Sequence, residues 1–390
     1  MNNIKKINIL IFLIGIYLLP LNAQKPEKVY SIVKQIKSID WYRTQAKLWK
    51  QEIAKDTANE TAWINYYAAN RMARMTDAGL WNKEKGDYFL DLKTIVSKAE
   101  KAIPETYEFY HMNVWDKGIY DIKQADFMFK AMKMYPDRMD MISNYVNYYE
   151  INRDKENMKK YCSKWFSSNE ISPGILAYNY NVLSTLEDNA IIFTNGDNDT
   201  YPLWILQYAK GIKKEVSVFN VSLLQIDSYR DKLFAEIRIP AFDTAKFMKT
   251  YKTEMDYPQA IIRHIIQNTD RPVYMASTMS NEYYKEFEKD LYLTGLAFRY
   301  SKSDIDNTAF IRKNYEKNFL LDYIKINFTN DLSETVVAQM NMGYLPVLFK
   351  LYEHYGLTGE TEKRAEVKKL AAIISAAADK ETEVMPWFEK

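Results

Sequence analysis

The residues best suited to chemistry lie in the stretch Ile191-Ile192-Phe193-Thr194-Asn195-Gly196-Asp197-Asn198-Asp199-Thr200-Tyr201-Pro202-Leu203-Trp204. Asn195, Asp197, Asn198, Asp199 and Thr200 gather side-chain oxygens in a short run between an apolar stretch and a helix-like one. Carboxylate and amide oxygens suit a hard cation, Ca2+ or Mg2+, with Asp197 and Asp199 as its ligands, and paired aspartates also grip sugar hydroxyls. A helix N-terminus normally attracts anions, yet two aspartates there would repel a phosphate unless a divalent cation lay between them. Two or three protein ligands fall short of a full shell, so the count fixes no cofactor. The same letters also spell a turn and a cap. Gly196 would make the tight turn, Asp197 an Asx turn, Asp199 or Thr200 the N-cap, and Pro202 the helix start. Capping accounts for one acidic residue more readily than for two, and both readings stand.

Other chemistry has thin support. His111, His264 and His354 fall in separate helical stretches, without the HExxH spacing of a zinc site. The GxSxG elbow, the phosphate loop GxxxxGK and the GxGxxG turn are all missing from the sequence. Cys162 is the single cysteine, which excludes an internal disulfide; beside Tyr161 and Trp165 on a helical stripe it reads as a small buried hydrophobe. No catalytic set is complete, so no catalytic residue is assigned and a non-catalytic protein is expected. The 53 basic and 51 acidic residues form no basic cluster with interleaved aromatics, so neither nucleic acid nor an anionic membrane is expected as a partner.

The elements that must position the acidic loop begin near Asp188, where the hydrophobic rhythm changes. Ala190 to Thr194 reads as a short buried strand, Glu215 to Leu223 as a second, Pro272 to Ser277 as a third and Leu291 to Tyr300 as a fourth. Helical patterns at Pro202–Tyr208, Asp227–Glu236 and Gln259–Gln267 separate them. Strands alternating with helices predict a mostly parallel, Rossmann-like α/β domain over residues 188–330. The loop then sits at the C-terminal end of the first strand, where such sheets place ligands. Residues 331–390 read as a C-terminal helical hairpin, Tyr344–Tyr355 and Glu360–Ala377, broken by Gly356 and Gly359.

Residues 24–187 are expected to be helical throughout. Trp41, Leu48, Trp49 and Ile53 form one apolar stripe, and Tyr88, Leu92, Ile95, Val96 and Ala99 another. Pro104, Pro136 and Pro173 fall 32 and 37 residues apart, close to the about 34-residue period of a tetratricopeptide repeat. Asp56-Thr57-Ala58-Asn59-Glu60-Thr61-Ala62-Trp63 resembles that family's helix-loop-helix junction, and Ala125, Phe129 and Tyr135-Pro136 resemble its closing helix. The resemblance implies one curved helical-repeat domain, with an insertion around Thr76 to Gly86. Residues 1–23 read as a signal peptide: Lys5 and Lys6, an apolar run from Ile7 to Leu19, Pro20, and cleavage after Ala23. No later run is long enough to span a bilayer.

The stretch from Ile191 to Trp204, continued by Val216-Ser217-Val218-Phe219-Asn220-Val221-Ser222-Leu223-Leu224, carries a second resemblance. Roughly from Asp188 to Ser301 it is similar to the soluble C-terminal region of a Bacteroidota family of protein O-mannosyltransferase-like membrane proteins. The multi-spanning part, where sugar transfer would be expected, has no counterpart, so no transferase activity is implied. Asp56-Thr57-Ala58 and Asp243-Thr244-Ala245 also resemble the Asp-Thr-small acceptor motif of periplasmic O-glycosylation, and equally resemble helix caps. Taken together, the expectation is an exported envelope accessory protein, periplasmic or at the cell surface, that binds a protein or peptide through its repeats. The alternative is a metal-assisted sugar-binding or glycan-acting protein that uses the loop of Asp197, Asn198 and Asp199.

Overall fold

The structure, a computed structural model, describes residues 24–119, 122–249, 251–326 and 330–389. The expected signal peptide, residues 1–23, lies outside the described residues. The chain parts into two compact units, one holding residues up to Tyr30 together with Lys37–Met112, the other Ser31–Ile36 with Asn113–Lys390. Among the described residues no helix is long and apolar enough to cross a membrane.

In the first unit, helices α1 (Ile39–Lys55) and α2 (Glu60–Thr76) pack as a hairpin and are followed by α3 (Leu92–Ala102). The Ser38 hydroxyl accepts from Trp41 N to start α1, and Asn59 Oδ1 accepts from Ala62 N to start α2. Alanines 46, 62, 69 and 73 are buried along the pair, and their small size lets the two backbones approach. The buried stripe of α1 is Tyr42, Gln45, Ala46 and Trp49 rather than Trp41, Leu48, Trp49 and Ile53. The buried stripe centres on Gln45 and Ala46 with Tyr42 and Trp49 on either side, while Trp41, Leu48 and Ile53 are half-buried. The α3 stripe buries Leu92, Ile95, Val96 and Ala99, while Tyr88 precedes the helix and is exposed. The segment before α1 is strapped down by Trp49 Nε1 donating to the Glu27 carbonyl (2.9 Å) and Val29 N donating to Asn65 Oδ1 (2.8 Å).

Helix α4 (Tyr107–Lys117) leads to α5 (Ile122–Met134), α6 (Ile142–Ile151), α7 (Lys155–Ser167) and α8 (Pro173–Thr185). The second unit is then built around a five-stranded sheet of β1 (Ile191–Thr194), β2 (Ser217–Asn220), β3 (Val273–Ala276), β4 (Leu291–Leu293) and β5 (Ala297–Tyr300), in the order β2-β1-β3-β5-β4. Strand β1 lies inside the sheet, between β2 and β3, and is fully buried, as an unbroken apolar run should be. It pairs in parallel with β2 and with β3, Ile191 standing opposite Ser217 and Val273. Strands β5 and β4 are antiparallel, so the sheet is mixed rather than mostly parallel.

The stretch Leu291 to Tyr300, expected as one strand, is two strands around the turn Thr294-Gly295-Leu296. Thr294 N donates to the Ala297 carbonyl there (3.1 Å). A Cβ at Gly295 would lie 2.5 Å from Thr185 Oγ1, so the turn needs the missing side chain to pack against α8.

Helix α9 (Tyr201–Lys210) connects β1 to β2, and α10 (Asp227–Ile237) and α11 (Asp256–Gln267) lie on the return from β2 to β3. These two connections step in opposite directions across the sheet, and right-handed crossovers therefore place their helices on opposite faces. At the N-terminal ends of the parallel strands Arg271 acts as a clamp: its guanidinium donates to the carbonyls of Asn189 (2.7 Å) and Ala190 (3.0 Å) and to Ser217 Oγ (2.9 Å). Beyond the sheet come α12 (Asn307–Lys313), α13 (Glu334–Asn341), α14 (Leu345–Thr358) and α15 (Thr361–Ala377). Helices α14 and α15 pack on each other across Gly359, whose φ of +74° closes the first of them. The fold is thus a mixed α/β structure rich in helix.

Candidate functional site

Strand β1 ends in Thr194 and β2 in Asn220, and Thr278 follows two residues after the end of β3, so the C-terminal ends of the three strands converge on a hydrogen-bonded cluster. Asp199 is its hub. Only 5% exposed, its carboxylate accepts from Gly196 N (2.7 Å), Asn195 N (3.3 Å), Thr200 Oγ1 (3.3 Å) and Thr278 Oγ1 (2.6 Å). Burial pushes this carboxyl up from its ordinary range, and the four donors oppose that shift without cancelling it. Thr200 Oγ1 also meets Thr194 Oγ1 (2.7 Å) and accepts from Asn220 Nδ2 (3.0 Å). Asn220 Oδ1 in turn takes the N–H groups of Ser222 and Leu223.

The loop is held from behind by α8. Asn179 Nδ2 donates to the Asn198 carbonyl (2.8 Å), and Asn198 Nδ2 donates to the Val33 carbonyl (2.9 Å). Of the five residues singled out by type, Asp199 and Thr200 are buried, Asn195 and Asn198 half-buried, and Asp197 exposed. Thr200 stands at the N-cap position of α9, one of the two positions expected. Neither Asp199 nor Thr200 caps α9 with its side chain; the Asp197 main-chain carbonyl accepts from Tyr201 N (3.1 Å), and Asp199 reaches backwards to close the loop. Among the described residues no group of three or more His, Cys, Asp or Glu side chains is placed to hold a metal ion. The cluster's further members, Thr278, Asn220 and Asn179, announce themselves in sequence only as the polar ends of the second and third strands and a buried helix position.

A different feature opens along the outer edge of β2. A cleft of about 560 Å3 is floored by Val216, Ser217, Val218 and Phe219, walled by Trp204 and Tyr208 of α9 and Leu233 and Ile237 of α10, and bordered by Glu150, Arg153, Lys155, Lys159, Lys214 and Glu236. Arg153 sits just past the end of α6 with φ +57°, a conformation disfavoured for a side-chain-bearing residue, and is tied there by Glu150 and by a forked pair to Glu236 (3.0 and 3.1 Å). Tyr229 OH donates to Glu150 Oε1 (2.9 Å), and Lys155 pairs with Glu236 (3.0 Å). Burial pushes the Glu150 carboxyl upward, against the pull of Arg153. Lys159 and Lys214 have no acidic partner among the described residues, so the border carries four cations against two carboxylates.

The remaining single residues are structural. Cys162 is fully buried, and burial raises its thiol pKa. Thr57 is exposed, whereas the Thr244 hydroxyl is engaged by Arg230 Nη2 (2.8 Å).

Residues 175–254 match the family described as TMEM260-associated domain 2. This is about a fifth of the chain and takes in most of α8, β1, the stapled loop, α9, β2 and α10. It is consistent with the resemblance to O-mannosyltransferase-like membrane proteins, but it starts earlier than Asp188 and stops before β3, β4 and β5. No curated protein and no solved structure matches the chain.

Proposed function

We propose that this chain is an exported envelope protein that binds a protein or peptide partner, with residues 24–187 acting as tetratricopeptide-like repeats and the α/β part as a Rossmann-like platform. Support for repeats comes from the run of helices α1 to α8, with α1 packed on α2 and α6 on α7, interrupted by the short helix Ala78–Lys83 where an insertion is expected. The observation that carries binding is the cleft beside β2, whose border keeps two lysines without acidic partners. Such a concave, partly apolar and cationic surface suits the binding of a partner. The loop of Asp197 to Thr200, by contrast, has its buried carboxylate occupied by four donors from within the protein.

The test is photocrosslinking in the intact cell, with a benzoylphenylalanine at position 156, exposed on α7 near the cleft, or at position 289 away from it. The expected result is a discrete protein adduct from position 156 only, on a chain that begins at Gln24 and fractionates outside the cytoplasm. Equal labelling from both positions, or none, would overturn the reading.

A further inference from the structure

We infer that the cleft takes an acidic, extended peptide segment, which adds as a strand to the open edge of β2; this rests on the partner-binding reading and names the chemistry of the partner. Strand β2 stands at the end of the sheet order, so among the described residues one of its edges has no strand beside it. The ladder fixes which groups face that way. Ser217 N donates to the Ala190 carbonyl (2.9 Å) and Val221 N to the Thr194 carbonyl (2.9 Å), so residues 217, 219 and 221 point their main-chain groups at β1. In a parallel pair the groups alternate, and Val218 therefore turns its N–H and C=O outward, onto the cleft floor.

Gln207 Nε2 already takes the Val216 carbonyl (2.7 Å), so the edge offers its main chain at Val218, and an edge with room beside it is the arrangement that strand addition uses: main-chain bonds give affinity and flanking pockets choose the side chains. The charge pattern selects the occupant. Lys159 on α7 and Lys214 just before β2 are exposed, lack acidic partners among the described residues and border the cleft, so they favour an occupant that brings carboxylates. Walls from Tyr208 and Ile237, both half-buried, suit the alternate, inward-facing residues of such a segment. Lysines at a sheet edge also discourage unwanted pairing between copies of a chain, and the experiment separates that role from recognition.

The probe is a fluorescein-labelled, end-blocked hexapeptide alternating glutamate and valine, titrated by anisotropy against residues 24–390. Its controls are the same peptide with lysine for glutamate and a version N-methylated at alternate amides. The acidic peptide should bind, weaken as salt is raised, and lose at least about tenfold in affinity against the Lys159→Glu, Lys214→Glu double variant. N-methylation should weaken it comparably, and this control leaves the protein intact. Binding that ignores N-methylation would reduce the site to one for any anion and overturn strand addition. No preference for glutamate over lysine, or aggregation of the double variant with unchanged peptide binding, would leave the lysines only a protective role. If the adduct at position 156 persists while every acidic peptide fails, this inference falls and partner binding stands; if both fail, both fall.

Discussion

Thr278 donates its hydroxyl to Asp199 across 2.6 Å, joining the loop after the third strand to the loop after the first. That single bond spans the place where the sheet's two connections diverge, the position at which open α/β sheets hold ligands. Here the protein fills it with its own donors.

Asp199→Ala should therefore cost stability. Removing the carboxylate leaves buried N–H and O–H groups without an acceptor, and a loss of about 3 kcal/mol is expected in urea unfolding. Asp197→Ala, at an exposed position of the same loop, should change stability by no more than about 0.5 kcal/mol. Equal effects from the two variants would contradict the division of labour described for the loop.

Chelator and divalent cations should leave the melting temperature unchanged. A ligand that binds the native state alone raises it, and the loop's buried carboxylate has both oxygens engaged. A saturable rise with Ca2+ or Mg2+ that is lost in Asp197→Ala would instead establish a cation site.

Glu316 gives a pH signature at the other end of the second unit. Burial acts to raise its pKa, but hydrogen bonds from Lys363, Arg312 and Tyr355 prevail and bring it from 4.5 to about 2. A carboxyl whose pKa is lower in the folded state contributes stability above its unfolded pKa and loses that contribution as pH falls. The stability difference between wild type and Glu316→Gln should thus be full above pH 4.5 and shrink toward pH 2. Denaturant midpoints measured across that range read it, and a difference that stays constant would count against the triad of donors.

Arg271→Ala should lower stability by about 2 kcal/mol, since two strand-end carbonyls and a hydroxyl lose a charged donor. Arg271→Lys should recover only part of this, because an ammonium cannot reproduce the planar fork. Full recovery in thermal unfolding would show that charge alone matters there.

The strands were legible because apolar, β-branched runs such as Ile191-Ile192-Phe193 cannot be exposed, and the C-terminal hairpin because Gly359 interrupts a helical pattern. Direction was not legible. Nothing in Ala297-Phe298-Arg299-Tyr300 says that it runs against β3, and the turn that reverses it depends on a glycine fitting against Thr185, a long-range contact. The same limit applies to the site. Residue types picked out the acidic loop, yet whether Asp199 faces a ligand or its own backbone depends on Thr278, far away in sequence. The cleft was invisible for a related reason, since an unpaired sheet edge belongs to the strand order and to no local pattern.

Helix α8 has a consequence for how this molecule can be taken apart. Its Asn179 holds the loop after β1, while its Asn181 donates to Tyr344 OH (2.7 Å) and exchanges bonds with the Leu320 main chain. The family match ends at residue 254, before the strand that completes the central sheet and before these C-terminal anchors. The segment that recurs between proteins is thus shorter than the piece that closes its own hydrogen bonds. An expressed fragment cut to the recurring boundaries would leave α8 with half its anchors and β1 with one neighbour.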